Sequence, residues 1–134
     1  MNEKRRHFHI LLVDDSLDMR QAVKKFLEEC GYKVTVAFDG EHGLMKLRQG
    51  TFALVITDWR MPKMTGIELI GKMRDDQRLR KIPIIMLTTS DAEELQKAAL
   101  AAGADAFISK NADNTLELIQ EKIAELLERT SSHH

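Results

Sequence analysis

Apolar positions along the chain follow two alternating periods. Phe8 to Val13 is an apolar run interrupted only by His9, an ordinary strand residue in this setting, and it stops at Asp14-Asp15. Behind it Met19, Ala22, Val23, Phe26, Leu27 and Cys30 recur at helical spacing and make one apolar stripe. Ser16 is placed to cap that helix and Gly31 to end it in a left-handed turn. Val34, Val36 and Ala37 form a short second strand, Asp39 caps a helix carrying Leu44 and Leu47, and Gly50 closes it. Ala53-Leu54-Val55-Ile56-Thr57 is apolar and β-branched on both faces, which predicts a strand buried on both sides and ending at Asp58. Pro62 bars any continuation of the ladder. Thr65-Gly66-Ile67-Glu68 reads as a capping box for a helix turning Ile67, Ile70 and Met73 inward. The charged segment from Arg74 to Lys81 reads as a helix end and a solvated loop. Pro83 introduces the fourth strand, Ile84-Ile85-Met86-Leu87, which ends at Thr88. Ser90-Asp91-Ala92-Glu93 is a second capping box, and Leu95, Ala98, Ala99 and Ala102 make a small-residue face before Gly103. Ala106-Phe107-Ile108-Ser109 is the fifth strand, ending at Lys110. Asn114-Thr115-Leu116-Glu117 caps a last helix whose stripe is Leu116, Ile119, Ile123, Leu126 and Leu127.

Strand and helix thus alternate five times without a leftover segment, the pattern of an α/β parallel sheet with helices on both faces. The expected domain is residues 8–129, with 1–7 a leader and 130–134 a tail. The chain's 134 residues suffice for one proper core. Composition adds mainly exclusions. Lys and Arg number 20 against 21 Asp and Glu, so bulk charge does not propose nucleic acid as a partner, and the cluster Lys4-Arg5-Arg6 reads as a solvated leader. No apolar stretch has the length of a membrane span, and the N-terminus lacks a secretory h-region. Cys30 stands alone on an apolar helix face, a packed thiol suited to a reducing cytoplasm.

The polar residues gain meaning from where the strands end. Strand one delivers Asp14 and Asp15, strand three Asp58, strand four Thr88 and strand five Lys110. Parallel strands put all these on one edge. In a doubly wound sheet of order 2-1-3-4-5, strands one and three are neighbours at the switch point, which brings the three acids together. Turns favour Asp for local reasons, so any one of these acids has an ordinary explanation; the matched set does not. Three carboxylates in one crevice need a proton or a cation, and a cluster of hard oxygen ligands suits Mg²⁺. A dication, an ammonium at Lys110 and a hydroxyl at Thr88 suit a phosphoryl group. Asp58, single and central, is the candidate acceptor that would form an acyl phosphate, with Asp14-Asp15 paired for the metal.

Val13-Asp14-Asp15-Ser16, Thr57-Asp58-Trp59-Arg60-Met61-Pro62-Lys63-Met64-Thr65-Gly66, Leu87-Thr88 and Phe107-Ile108-Ser109-Lys110 together resemble the CheY-like receiver domain of two-component response regulators. The resemblance runs from about Phe8 to about Arg129. It implies that Asp58 takes a phosphoryl group from a histidine kinase or phosphotransfer protein. It implies that Asp15, Asp58 and the backbone carbonyl of Arg60, with Asp14 acting largely through water, hold Mg²⁺. Lys110 would pair with the phosphoryl oxygens, Thr88 would move to bond them, and the aromatic Phe107 would rotate inward as a switch. The face made by the fourth helix, fifth strand and fifth helix would then change for a partner protein. A receiver of this kind catalyses only its own phosphorylation and dephosphorylation.

The chain departs from the family pattern at three places. Asn111 follows Lys110 where most of the family has Pro; a cis bond there would cost about 3 kcal/mol without proline, so a trans peptide is expected. Phe107 lacks a tyrosine hydroxyl. Arg60 stands two residues after the acceptor, where a side chain can lean over the phosphoryl group or remain a solvated rim charge. The same Arg60 argues against a haloacid-dehalogenase-like phosphatase, which needs a second acid at that position. A direct DNA-binding role would require a further domain, so the chain is expected to be a stand-alone regulator or a piece of a larger one. The main alternative is a degenerate receiver that docks proteins without phosphorylation.

Overall fold

The computed structural model describes residues 3–89 and 93–129. Strands β1 (His9–Val13), β2 (Lys33–Ala37), β3 (Leu54–Asp58), β4 (Ile84–Thr88) and β5 (Ala106–Ser109) alternate with α1 (Leu17–Glu29), α2 (Gly40–Gln49), α3 (Gly66–Arg74), α4 (Glu93–Ala102) and α5 (Thr115–Ile123). A 3-10 turn, Glu3–His7, precedes β1, and Ala124–Arg129 extend α5 as a π-helical turn. All strand pairs are parallel and the order is β2-β1-β3-β4-β5, as the alternation predicts.

Period-two alternation along each strand builds the two cores. Ile10, Leu12, Leu54, Ile56, Ile85 and Leu87 turn to the layer that also holds Val23 and Leu27 of α1 and Ile119 and Ile123 of α5. Leu11, Val13, Val55, Ile84 and Met86 turn to the other, against Leu44 and Leu47 of α2, Ile70 and Met73 of α3 and Ala99 of α4. Strands β3 and β4 are buried at every residue, which fits their unbroken apolar runs.

The expected caps mostly form. Ser16 accepts from the Met19 N–H, Asp39 from the His42 N–H, and Thr65 and Glu68 make both bonds of the capping box. Gly31 and Gly103 take positive φ, 108° and 120°, at the ends of α1 and α4. Ser90, Asp91 and Ala92, and the 130–134 tail, lie outside the described residues.

Five expectations are corrected. Leu69, not Ile67, is the fully buried partner of Ile70 on α3, because the helix phase sets Ile67 at the edge of the stripe. Ala98 is exposed, so the buried face of α4 is Leu95 and Ala99. Asn114 makes no side-chain cap; instead the Thr115 hydroxyl lies 2.9 Å from the Ser109 carbonyl oxygen and 2.8 Å from that of Ala112. The Arg74–Lys81 segment is more than a solvated loop, since Arg74 donates to the carbonyls of Gly103, Arg80 and Ile82 and pairs with Asp105, while Leu79 is buried. Nor is Arg5 a free leader charge. It pairs with Glu128 at 2.6 Å, donates to the Cys30 carbonyl and lies over the Tyr32 ring. His9 behaves as a strand residue, its Nε2 2.6 Å from the Thr35 hydroxyl and its ring against Phe52.

Candidate functional site

The carboxyl edge of the sheet gathers the acids because β1 and β3 are neighbours and end level with one another, Val13 opposite Thr57. Asp14, Asp15 and Asp58 each offer a carboxylate oxygen, all within 4.8 Å of one another. Asp14 is fully buried and Asp58 is 8% exposed, while Asp15 faces solvent. Asp14 Oδ1 accepts the Ser16 N–H at 2.9 Å, and Asp58 Oδ1 accepts the Trp59 N–H at 2.7 Å.

Lys110 enters from the end of β5, where its N–H bonds the Thr88 carbonyl at 2.8 Å. Its Nζ lies 2.9 Å from Asp58 Oδ2, as a hydrogen bond, and 2.7 Å from Asp14 Oδ2. The second contact is an ion pair and the one polar partner of the buried Asp14 Oδ2 among the described residues. Burial pushes the Asp58 carboxyl above the usual carboxylate range, and Asp14 adds to that; Lys110 and the Trp59 N–H oppose the shift without cancelling it. Burial works against the Lys110 charge as well, but the contacts with Asp14 and Asp58 outweigh it and hold the ammonium above the usual lysine value.

The loop after Asp58 is built to let the backbone close in. Gly66 donates to the Trp59 carbonyl at 2.8 Å, and a Cβ at this glycine would collide with the Asp58 carbonyl oxygen. Lys63 adopts φ 70°, the left-handed turn that brings Met64 back into the core. Asp58, Trp59, Arg60, Thr88 and Thr89 line one open pocket. Within it the Arg60 guanidinium lies 4.8 Å from the centroid of the Trp59 ring. Phe107 is not in this pocket; it is half-buried on β5 and borders a groove with Ser109, Ala112, Leu118 and Lys122. The Lys110–Asn111 peptide is trans, and Asn111 spans the loop, its side-chain amide donating to the Thr89 carbonyl at 2.7 Å.

The structure therefore brings Asp14, Asp15, Asp58 and Lys110 into contact distance and sets Thr88 and Arg60 on the adjoining pocket wall. A cluster of three hard oxygen donors, one of them a buried oxygen whose close partner is the Lys110 ammonium, fits a dication such as Mg²⁺. One contributor carried no signal in its residue type. Arg20 on α1 donates to the Asp14 carbonyl at 2.7 Å, and a helix arginine in a charged pattern looks like any solvated one.

Known proteins share this fold and much of this sequence. The chain is 37% identical over 123 residues to the chemotaxis protein CheY of Pseudomonas aeruginosa, covering 91% of this chain and 98% of that one. It is 37% identical over 125 residues to CheY-3 of Vibrio cholerae, covering 92% and 95%. Among solved structures, the chemotaxis response regulator CheY4 of Vibrio cholerae superposes with a TM-score of 0.82 at 33% identity, over 90% of this chain and 98% of that one. The response regulator TrrA of Thermotoga maritima, in complex with Mg²⁺-BeF, does so with a TM-score of 0.79 at 32% identity, over 90% and 99%. The family model for the response regulator receiver domain matches residues 10–124, and with that span this chain belongs to the response regulator receiver domain family.

Proposed function

We propose that the chain is a phosphoacceptor receiver in which Asp58 takes a phosphoryl group from the phosphohistidine of a histidine kinase or phosphotransfer protein. The observation that carries this is the contact of Lys110 with both Asp58 and Asp14 beside the open pocket. An Asp58 carboxylate oxygen attacks phosphorus, the O–P bond forms as the P–N bond to the donor imidazole breaks, and that ring keeps the bonding pair and takes up a proton. The Lys110 ammonium and the Trp59 N–H favour the ionised Asp58 needed for attack, and Lys110 is placed to neutralise phosphoryl oxygens as charge builds. Asp14, Asp15, Asp58 and the Arg60 backbone carbonyl would hold Mg²⁺. When bound, Mg²⁺ supplies positive charge that draws the phosphoryl oxygens toward the acids. The TrrA neighbour, solved with Mg²⁺-BeF, supports this assignment.

The Thr88 hydroxyl and the Phe107 ring act as the relay from the pocket to the face of α4, β5 and α5, where a partner protein is bound in the phosphorylated state. The phosphoryl group shifts the balance of two states through the contacts it makes in only one of them. The chain catalyses no reaction beyond its own phosphorylation and dephosphorylation, and it works in the cytoplasm, a compartment that suits its single cysteine.

The test is incubation with Mg²⁺ and acetyl phosphate followed by intact mass measurement. One phosphoryl group is expected on the wild type and none on Asp58→Asn. A wild type that stays unlabelled, where another receiver labels, would instead support a module that docks without phosphorylation.

A further inference from the structure

Asp15 differs from its two acidic neighbours. It is exposed, and its carboxylate has no hydrogen-bond or ion-pair partner among the described residues, so its direction depends on its backbone. That backbone is held from one side. The Asp14 carbonyl belongs to the peptide joining Asp14 to Asp15, and it accepts from Arg20 Nη1 at 2.7 Å. Fixing this carbonyl fixes the plane of the peptide and with it the Asp15 N–Cα bond, which leaves φ as the one backbone rotation that aims the Asp15 side chain.

Arg20 is itself braced. Its guanidinium carbon lies 4.8 Å from the centroid of the Phe38 ring in the loop after β2. Phe38 stays 54% exposed. It is held by His42, whose ring centroid is 4.6 Å away and whose Nδ1 accepts the Phe38 N–H at 3.1 Å. His42 in turn has its own N–H capped by Asp39. A chain of contacts thus runs from the start of α2, through an exposed aromatic ring and a guanidinium, to the peptide between the two acids.

We propose that Arg20, seated on Phe38, is a positioning residue for Mg²⁺ binding: it orients Asp15 toward Asp14 and Asp58 through the Asp14 carbonyl. The inference rests on the reading of the acidic cluster as a Mg²⁺ site. Its sign separates it from plain electrostatics. A guanidinium near three acids repels a dication, so charge alone predicts that removing it tightens Mg²⁺ binding, whereas positioning predicts that removal weakens it.

Trp59, the one tryptophan, adjoins Asp58 and serves as the fluorescent probe in a MgCl₂ titration without phosphodonor. Arg20→Met keeps the stem and removes donor and charge; it should weaken Mg²⁺ binding about 10-fold, the loss typical of removing a group that orients a metal ligand. Phe38→Leu keeps charge and donor but removes the ring beneath them, and should weaken binding to a smaller extent. In an Asp15→Asn background, Arg20→Met should add almost nothing, since both changes remove the same ligand. Tighter or unchanged binding in Arg20→Met, unchanged binding in Phe38→Leu, or losses that simply add in the double variant each overturn the proposal. A wild type that does not bind Mg²⁺ at all overturns the metal reading of the cluster and this inference with it.

Discussion

Lys110→Met removes the cation that touches two buried carboxylates while keeping a stem of similar length. The wild-type contacts are 2.7 Å and 2.9 Å, with the lysine side chain 10% exposed and those of Asp14 and Asp58 0% and 11%. Breaking a buried ion pair by removing one member costs about 3–5 kcal/mol. The fold can escape part of that by taking up a proton between the two acids. Protonating a carboxyl costs about 1.4 kcal/mol for each pH unit above its ordinary value near 3.9. The escape therefore costs roughly 5–6 kcal/mol at pH 8 but only about 1.5 kcal/mol at pH 5. Stability should consequently fall by about 3–5 kcal/mol at pH 8 and by no more than about 1.5 kcal/mol at pH 5.

The wild type sets the reference. Asp58 prefers its proton in the folded state, so its contribution declines as pH rises from the ordinary carboxylate value through the raised one. Lys110, raised as well, keeps its full contribution below the usual lysine value and loses it as pH rises through the folded one. Urea unfolding at the two pH values gives the comparison directly. A loss of equal size at both would show that Lys110 acts through packing, and a gain in stability would show that its desolvation outweighs the ion pairs.

Arg74→Met strands carbonyls of Gly103, Ile82 and Arg80 at the opposite edge of the sheet and should cost about 2–4 kcal/mol in urea unfolding, with Asp58 labelling retained; a loss near zero refutes its role as a clamp. Arg60→Asn shortens the rim side chain that lies over Trp59 and opens the pocket to water, so loss of the phosphoryl group should be severalfold faster in a stop-chase assay, and an unchanged rate ends that idea. The single tyrosine, Tyr32, should ionise near pH 12 in an ultraviolet titration, because burial, and secondarily Glu128, raise it to about 12 while Arg5 opposes the shift; a midpoint near 10 would mean that the Tyr32 ring is not buried as it is here. As its folded pKa exceeds the ordinary value, stability should decline across that same interval.

The fold was legible because four of the five strand runs stop at a residue the sheet cannot bury cheaply, the edge strand β2 being the exception. Asp14, Asp58, Thr88 and Lys110 mark strand ends by the same feature that makes them chemically useful, so fold and candidate site were read together. What escaped were side chains whose partner is a backbone carbonyl outside their own helix. Arg20 and Arg74 look alike in a charged pattern, and only the packed structure shows that both bond carbonyls across element boundaries. The Asn114 cap failed, and Leu69 was missed beside a half-buried Ile67, for a local reason: helix phase and cap choice shift by a residue or two at termini, where the pattern is weakest.

The contact of Arg5 with Glu128 has a topological consequence. Residues before β1 lie at the amino edge of a parallel sheet, and α5 runs back toward that edge, so the pair closes a loop of 123 positions into a ring. The sheet order does not depend on where that ring is cut. A circular permutant that joins the chain across this contact and opens it in a surface turn should therefore reassemble the same pocket. Fluorescent proteins fused at either side of the join would sit at the far edge from Asp58, so such a permutant offers a scaffold for an optical sensor of the acceptor's state.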